Sequence, residues 1–196
     1  MSHPTETTVS VQNDAVPAPP QVPSARRAEL LELAYAYVRR NGMGGLSLRP
    51  LAEAIGSSPR VLLFLFGSKD GLVQALLERS RVAELELVQQ VRDTDGGVAD
   101  AAEQIWTWLA DPAHRDLLRL WAEGYGRGLV ASDGPWADHP RRSVTDWLAI
   151  LAGTGADPVA ATTALAVLRG ALLDLLATDD EARTTAAVHR ALTALR

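Results

Sequence analysis

The 196-residue chain has no cysteine, which rules out disulfides and thiolate metal sites and fits a reducing compartment. Lysine is almost absent too, Lys69 being the only one. The chain also lacks a P-loop, a dinucleotide fingerprint, a nucleophile elbow and any zinc spacing. His114, His139 and His189 stand isolated, and the pairs Asp138-His139 and Asp111…His114 lie beside proline, where aspartate caps helices. No catalytic residue, metal or cofactor is therefore expected. Residues 1–23 have neither the positive start nor the apolar run of a signal peptide. No apolar stretch reads as the roughly 18 residues of a membrane span. A cytoplasmic protein without a membrane partner is the expectation.

Apolar residues make up 47% of the chain, enough for a substantial core in one or two domains. The net charge of −5 is unevenly spread. Residues 24–81 hold nine basic and five acidic side chains, a surplus of +4, which leaves −9 on the remainder. A basic head attracts phosphates, while an acidic body resists nonspecific association.

The segment from Ser47 to Asp70, SLRPLAEAIGSSPRVLLFLFGSKD, carries the clearest functional signal. Ala52 is small where two short helices cross, Gly56 falls where the chain must turn sharply, and Leu62 faces inward from the second helix. That spacing matches a helix-turn-helix, which places its second helix in a DNA major groove. Ser47 and Ser58 stand at N-cap positions, with Pro59 at the first helical position. Gly67 ends the second helix, and Ser68 starts a third.

The stretch from Arg26 to Leu76, within a match of about residues 25–80, resembles the N-terminal domain of TetR-type transcriptional regulators. The signature F-x-S/N-K-E/D-x-L stands here as Phe66, Gly67, Ser68, Lys69, Asp70, Gly71 and Leu72. The reading helix departs from the family pattern. Leu63, Phe64 and Leu65 stand where members often carry tyrosine and histidine, so the usual tyrosine–phosphate contact has no counterpart. The resemblance implies a dimeric, ligand-responsive DNA-binding regulator, more often a repressor, and marks Lys69 as the signature lysine.

Along the chain, residues 1–23 read as a disordered arm, 24–70 as the helix-turn-helix head and 71–196 as a helical ligand-binding and dimerisation body. The architecture expected is all-α with about nine helices. The first helix places Leu30, Leu33, Ala34, Tyr37 and Val38 on one stripe. Asp157-Pro158 opens a strongly apolar helix to about Ala177, and Thr178 with Glu181 reads as a capping box for the last helix. These two helices are either central to one core or shared across a four-helix interface with a second copy. A homodimer through about residues 158–195 also suits a helix-turn-helix, whose two heads meet successive major grooves about 34 Å apart.

Several side chains are candidates for double-stranded DNA. Arg60 fits a guanine edge. Ser57 and Ser58 reach a base or a phosphate, while Arg49 and Lys69 anchor phosphates. Ser47 either caps or bonds phosphate. Phe64 or Leu63 either touches a thymine methyl or turns into the core. Arg26 and Arg27 either contact the DNA backbone or form a solvated face. In the body, Trp106, His114, Trp121 and Tyr125 are candidates to line a pocket for a small-molecule effector, against ordinary core roles. An enzyme and a helical adaptor that binds protein without DNA are the rival classes; the basic head and Lys69 speak against the adaptor, the apolar reading helix for it.

Overall fold

A computed structural model describes residues 25–89 and 96–196. The arm expected over residues 1–23, and residues 93–95 of an expected turn, lie outside the described residues. The described chain is all helical. Its elements are α1 (Ala25–Asn41), α2 (Leu48–Ala54), α3 (Pro59–Phe66), α4 (Lys69–Gln89), α5 (Val98–Ala110), α6 (Arg115–Val130), α7 (His139–Ala152), α8 (Pro158–Thr178) and α9 (Glu181–Thr193). A short 3-10 turn, Pro112–His114, capped by Asp111, leads into α6.

Two hydrophobic cores organise these helices. The first joins α1 to α3 with the start of α4, and it continues past residue 70 through Leu72, Val73, Leu76 and Leu77. It also takes Leu117 and Leu120 from α6. The second is built by α5 to α9 around Trp106, Trp121, Trp147, Leu168 and Leu172. Because Leu118 and Trp121 of α6 belong to this second core, α6 is the beam between them.

Three local expectations are corrected. In α1 the buried stripe is Leu30, Ala34, Tyr35 and Val38, while Leu33 is exposed: the helix is rotated so that Tyr35 meets α4, its ring under the Arg79 guanidinium. The last helix is capped by Asp180, whose carboxylate accepts from Arg183 N–H at 3.1 Å. Thr178 still belongs to α8 and donates back to Asp174 O at 2.9 Å. Third, α8 is long and apolar enough to cross a membrane by length and composition, although no such stretch is expected from the sequence. It is a packed helix, with Leu165, Leu168, Leu172 and Leu175 buried against its neighbours.

Candidate nucleic-acid interface

The turn between α2 and α3 follows from its residues. Gly56 adopts φ +64°, a left-handed conformation that costs little only without a Cβ. Ser57 N–H closes the turn on Ala52 O at 2.8 Å. Ser58 accepts from Val61 N–H at 3.3 Å, and Pro59 occupies the first turn of α3. Gly67, at φ +78°, ends α3, and Ser68 caps α4 by accepting from Gly71 N–H at 2.9 Å. Gly71 is required by proximity: a Cβ there would collide with the Phe66 carbonyl oxygen.

This geometry sorts α3 into two faces. Leu62 and Phe66 are buried against the head core. Arg60, Val61, Leu63 and Phe64 point outward, Phe64 with 85% of its surface exposed. The core alternative considered for Phe64 therefore does not hold. Arg27 braces the inner side, donating to Leu65 O at 3.3 Å with its guanidinium 4.9 Å from the centre of the Phe66 ring. Arg26 is paired with Glu29 at 2.8 Å.

Of the other DNA candidates, Arg49, Arg60 and Lys69 are all exposed and unpaired among the described residues. Ser47 sits at the N-cap of α2 with no side-chain capping bond, so its hydroxyl is uncommitted there. Ser58 is spent on its cap, and the Ser57 hydroxyl is buried without a partner among the described residues. The result is an exposed apolar surface on α3 that carries Arg60, with further exposed cations at Arg49 of α2 and Lys69 of α4.

The four pocket candidates are not gathered in one place. Trp121 and Tyr125 stack at 5.1 Å between ring centres. Trp106 is fully buried and donates its indole N–H to Thr185 at 2.9 Å. His114 stacks on Trp108 at 4.1 Å. Sequence reasoning missed the groups that do meet the Trp121–Tyr125 pair. Arg169 donates to Tyr125 Oη at 3.1 Å and to Ser143 Oγ at 2.9 Å, and Ser143 also accepts from Trp121 Nε1 at 3.2 Å. The Arg169 Nε atom is buried with no partner among the described residues. Beside it, Trp121, Trp147 and three leucines line a small hollow of about 10 Å³, room for roughly one water molecule. A lone arginine inside an apolar run was the available signal.

Charge is handled unusually nearby. Glu84 is buried, with Ser80 Oγ donating to it at 3.3 Å, the only hydrogen bond to it among the described residues, and burial pushes its carboxyl up to about 8. Burial likewise holds the His139 imidazole below its ordinary range, with Arg142 and Arg169 adding to the effect. Head and body are tied at Glu123 of α6. Its Oε2 accepts from Met43 N–H at 2.7 Å, and its Oε1 from Arg127 Nε at 3.1 Å. An open cleft of about 400 Å³ also lies at this junction, lined in part by Arg27, Glu78, Arg81, His139 and Arg142.

A short outward helix set on its partner by a glycine turn, at the tip of a helical bundle, defines a helix-turn-helix protein. Over most of its length the chain has the fold of TetR-family transcriptional regulators. A TetR-family regulator from Rhodococcus sp. superposes with a TM-score of 0.68 over 88% of this chain and 99% of that one, at 19% identity. The multidrug binding protein EbrR, complexed with imidazole, gives 0.65 over 85% and 89%, at 24% identity. In sequence, the HTH-type nicotine-responsive transcriptional repressor HdnoR of Paenarthrobacter nicotinovorans is 32% identical over 98 residues. That match covers 50% of this chain and 45% of HdnoR, so the alignment spans about half the length of this curated relative. No protein-family model matches the chain.

Proposed function

We propose that the protein is a cytoplasmic, dimeric DNA-binding repressor that a small-molecule effector releases from its operator. The observation that carries the reading is the outward face of α3 with Arg60 exposed on it, together with the exposed, unpaired cations Arg49 on α2 and Lys69 at the start of α4 among the described residues. The fold of TetR-family regulators supports it, as does the likeness to a repressor named for its response to nicotine. Ser47, Arg49 and Lys69 hold phosphates, Arg60 reads a base edge, and Ser57 lies at the entry to the reading helix.

Two copies pair through α8 and α9. Val159 and Leu173 of α8 are exposed, and an apolar groove of about 270 Å³ runs along Val167, Gly170 and Ala171 beside Ala187 and Ala191. A second copy covers this surface, giving a four-helix seam. The effector binds at Trp121 and Tyr125 with Arg169, where aromatic faces meet a few polar groups. Widening that small space displaces α6, and with it the Glu123 tie to the head.

Fluorescence polarisation with the duplex upstream of the protein's own coding region, titrated against salt, tests the reading. Dimeric protein that binds this duplex more tightly than a scrambled one supports it. A monomer indifferent to both duplexes at low salt would sink it.

A further inference from the structure

Both phenylalanines of the chain lie in α3, and they do opposite things. Phe66 is 7% exposed and closes the head core; Phe64 is 85% exposed and is not part of that core. Around Phe64 the outward surface is Val61 at 38% and Leu63 at 41% exposure. Arg60 is the only side chain of α3 able to donate or accept a hydrogen bond. Such a helix has little with which to read donors and acceptors, but much with which to bury apolar atoms. In the major groove the one apolar feature of a base edge is the C5-methyl group of thymine. The cations at Arg49, Arg60 and Lys69 match the charge of a duplex and bring this ridge against it.

We propose that Phe64, backed by Leu63, determines operator sequence by packing on a thymine C5-methyl group, about two base pairs from the guanine edge taken by Arg60. The spacing follows from helix geometry. Residues 60 and 64 share a face, about 6 Å apart along the axis, against about 3.4 Å per base pair along one strand. The inference rests on the DNA-reading role proposed above and adds what that role recognises: a methyl group in place of a hydrogen-bond pattern.

The test uses the full-length dimer and the duplex that it enriches from a randomised pool. Each thymine of the enriched sequence is replaced singly by uracil, which removes the methyl group and leaves the pairing edge intact. At one position per half-site, uracil is expected to weaken binding about four-fold, the effect of one methyl group left unburied. In Phe64→Ala the enriched duplex binds more weakly, and the thymine-to-uracil difference at that position disappears. The ring is exposed, so the variant folds; an unchanged circular dichroism spectrum and melting temperature check this. A Leu63→Ala variant is expected to shrink the difference without abolishing it. If uracil costs the same in parent and Phe64→Ala, the assignment to Phe64 is overturned. If uracil costs nothing anywhere while an enriched sequence is still bound, methyl reading fails and DNA reading survives. If the pool enriches no sequence, the DNA-reading role itself fails and the ridge serves another partner.

Discussion

The head is filled from Leu30 and Val38 in α1, Leu51 in α2, Leu62 in α3 and Leu76 in α4, whereas the buried polar residues Ser80, Glu84, His139, Ser143 and Thr184 all lie beyond it. Four of the five tryptophans also contribute to or pack on the body core, and Trp136 packs on the head core from outside residues 25–77. The head interior is mostly aliphatic, with Tyr35 and Phe66 added, and in a close-packed interior each departure loses contacts. An interior with a partnerless Arg169 Nε and a buried Glu84 carries polar groups whose desolvation is incompletely offset. Among the described residues the head also holds partnerless buried polar atoms, Tyr35 Oη, Arg39 Nε and Ser57 Oγ, so what sets the body apart is its buried carboxylate, Glu84.

Equal truncations in the two cores give the largest effects. Leu62→Ala and Leu168→Ala each empty a fully buried site and are expected to cost about 2–5 kcal/mol in thermal unfolding. Leu62→Ala should lose DNA binding while the dimer persists by size-exclusion chromatography; Leu168→Ala should weaken the dimer first. Parallel losses of both activities in both variants would erase the distinction between the regions.

Glu84 sharpens the contrast through pH. Its carboxyl ionises near about 8 in the folded protein, against an ordinary value of 4.5. Between these values the unfolded chain has released a proton that the native state keeps, so stability falls as pH rises. That contribution is complete below about 4.5 and gone above about 8. Glu84→Gln keeps the shape without the charge. It should melt several degrees above the parent at pH 9, on the order of a few kcal/mol, with the gap closing toward pH 5. A gap that is the same at both pH values would show that burial does not hold the proton on Glu84.

At the head surface the expected effects are smaller and differ in kind. Arg60→Ala should reduce discrimination between the enriched duplex and scrambled DNA by about 1–3 kcal/mol. Lys69→Ala should weaken both duplexes alike and reduce the salt slope by about 1. Equal small effects from both variants in a salt titration would refute the division between reading and anchoring.

The head was largely legible because its signals are local. Pro59, Gly56, Gly67 and Ser68 act through their own backbone, and each stands where the spacing placed it. The misreadings arose where distant contacts decide. Tyr35 lies one step off the stripe that periodicity drew, because α4 and α6 fix how α1 is rotated. Thr178 and Asp180 are both capping residues two positions apart, and only the close of α8 selects between them. In the body, the assembly of Arg169, Tyr125 and Ser143 draws on three helices and leaves no spacing to read.

The smallest expected effect lies where the two regions meet. Glu123 stands on α6 beside Trp121 and Tyr125, which face the body, yet its own carboxylate accepts Met43 N–H from the loop between α1 and α2. The side-chain ends of Arg127 and Glu123 also lie close to Gly44 of this loop. A single charge-assisted bond contributes about 1.5–3 kcal/mol when sheltered and less at a half-exposed site. In Glu123→Ala the Met43 amide should exchange with solvent about ten-fold faster, while the amides of α3 keep their protection and DNA affinity changes less than about five-fold. Such a result makes the bond a latch between head and body. Unchanged exchange at Met43 would mean that Leu117 and Leu120 alone hold the head in place, and that a shift of α6 reaches α3 through packing.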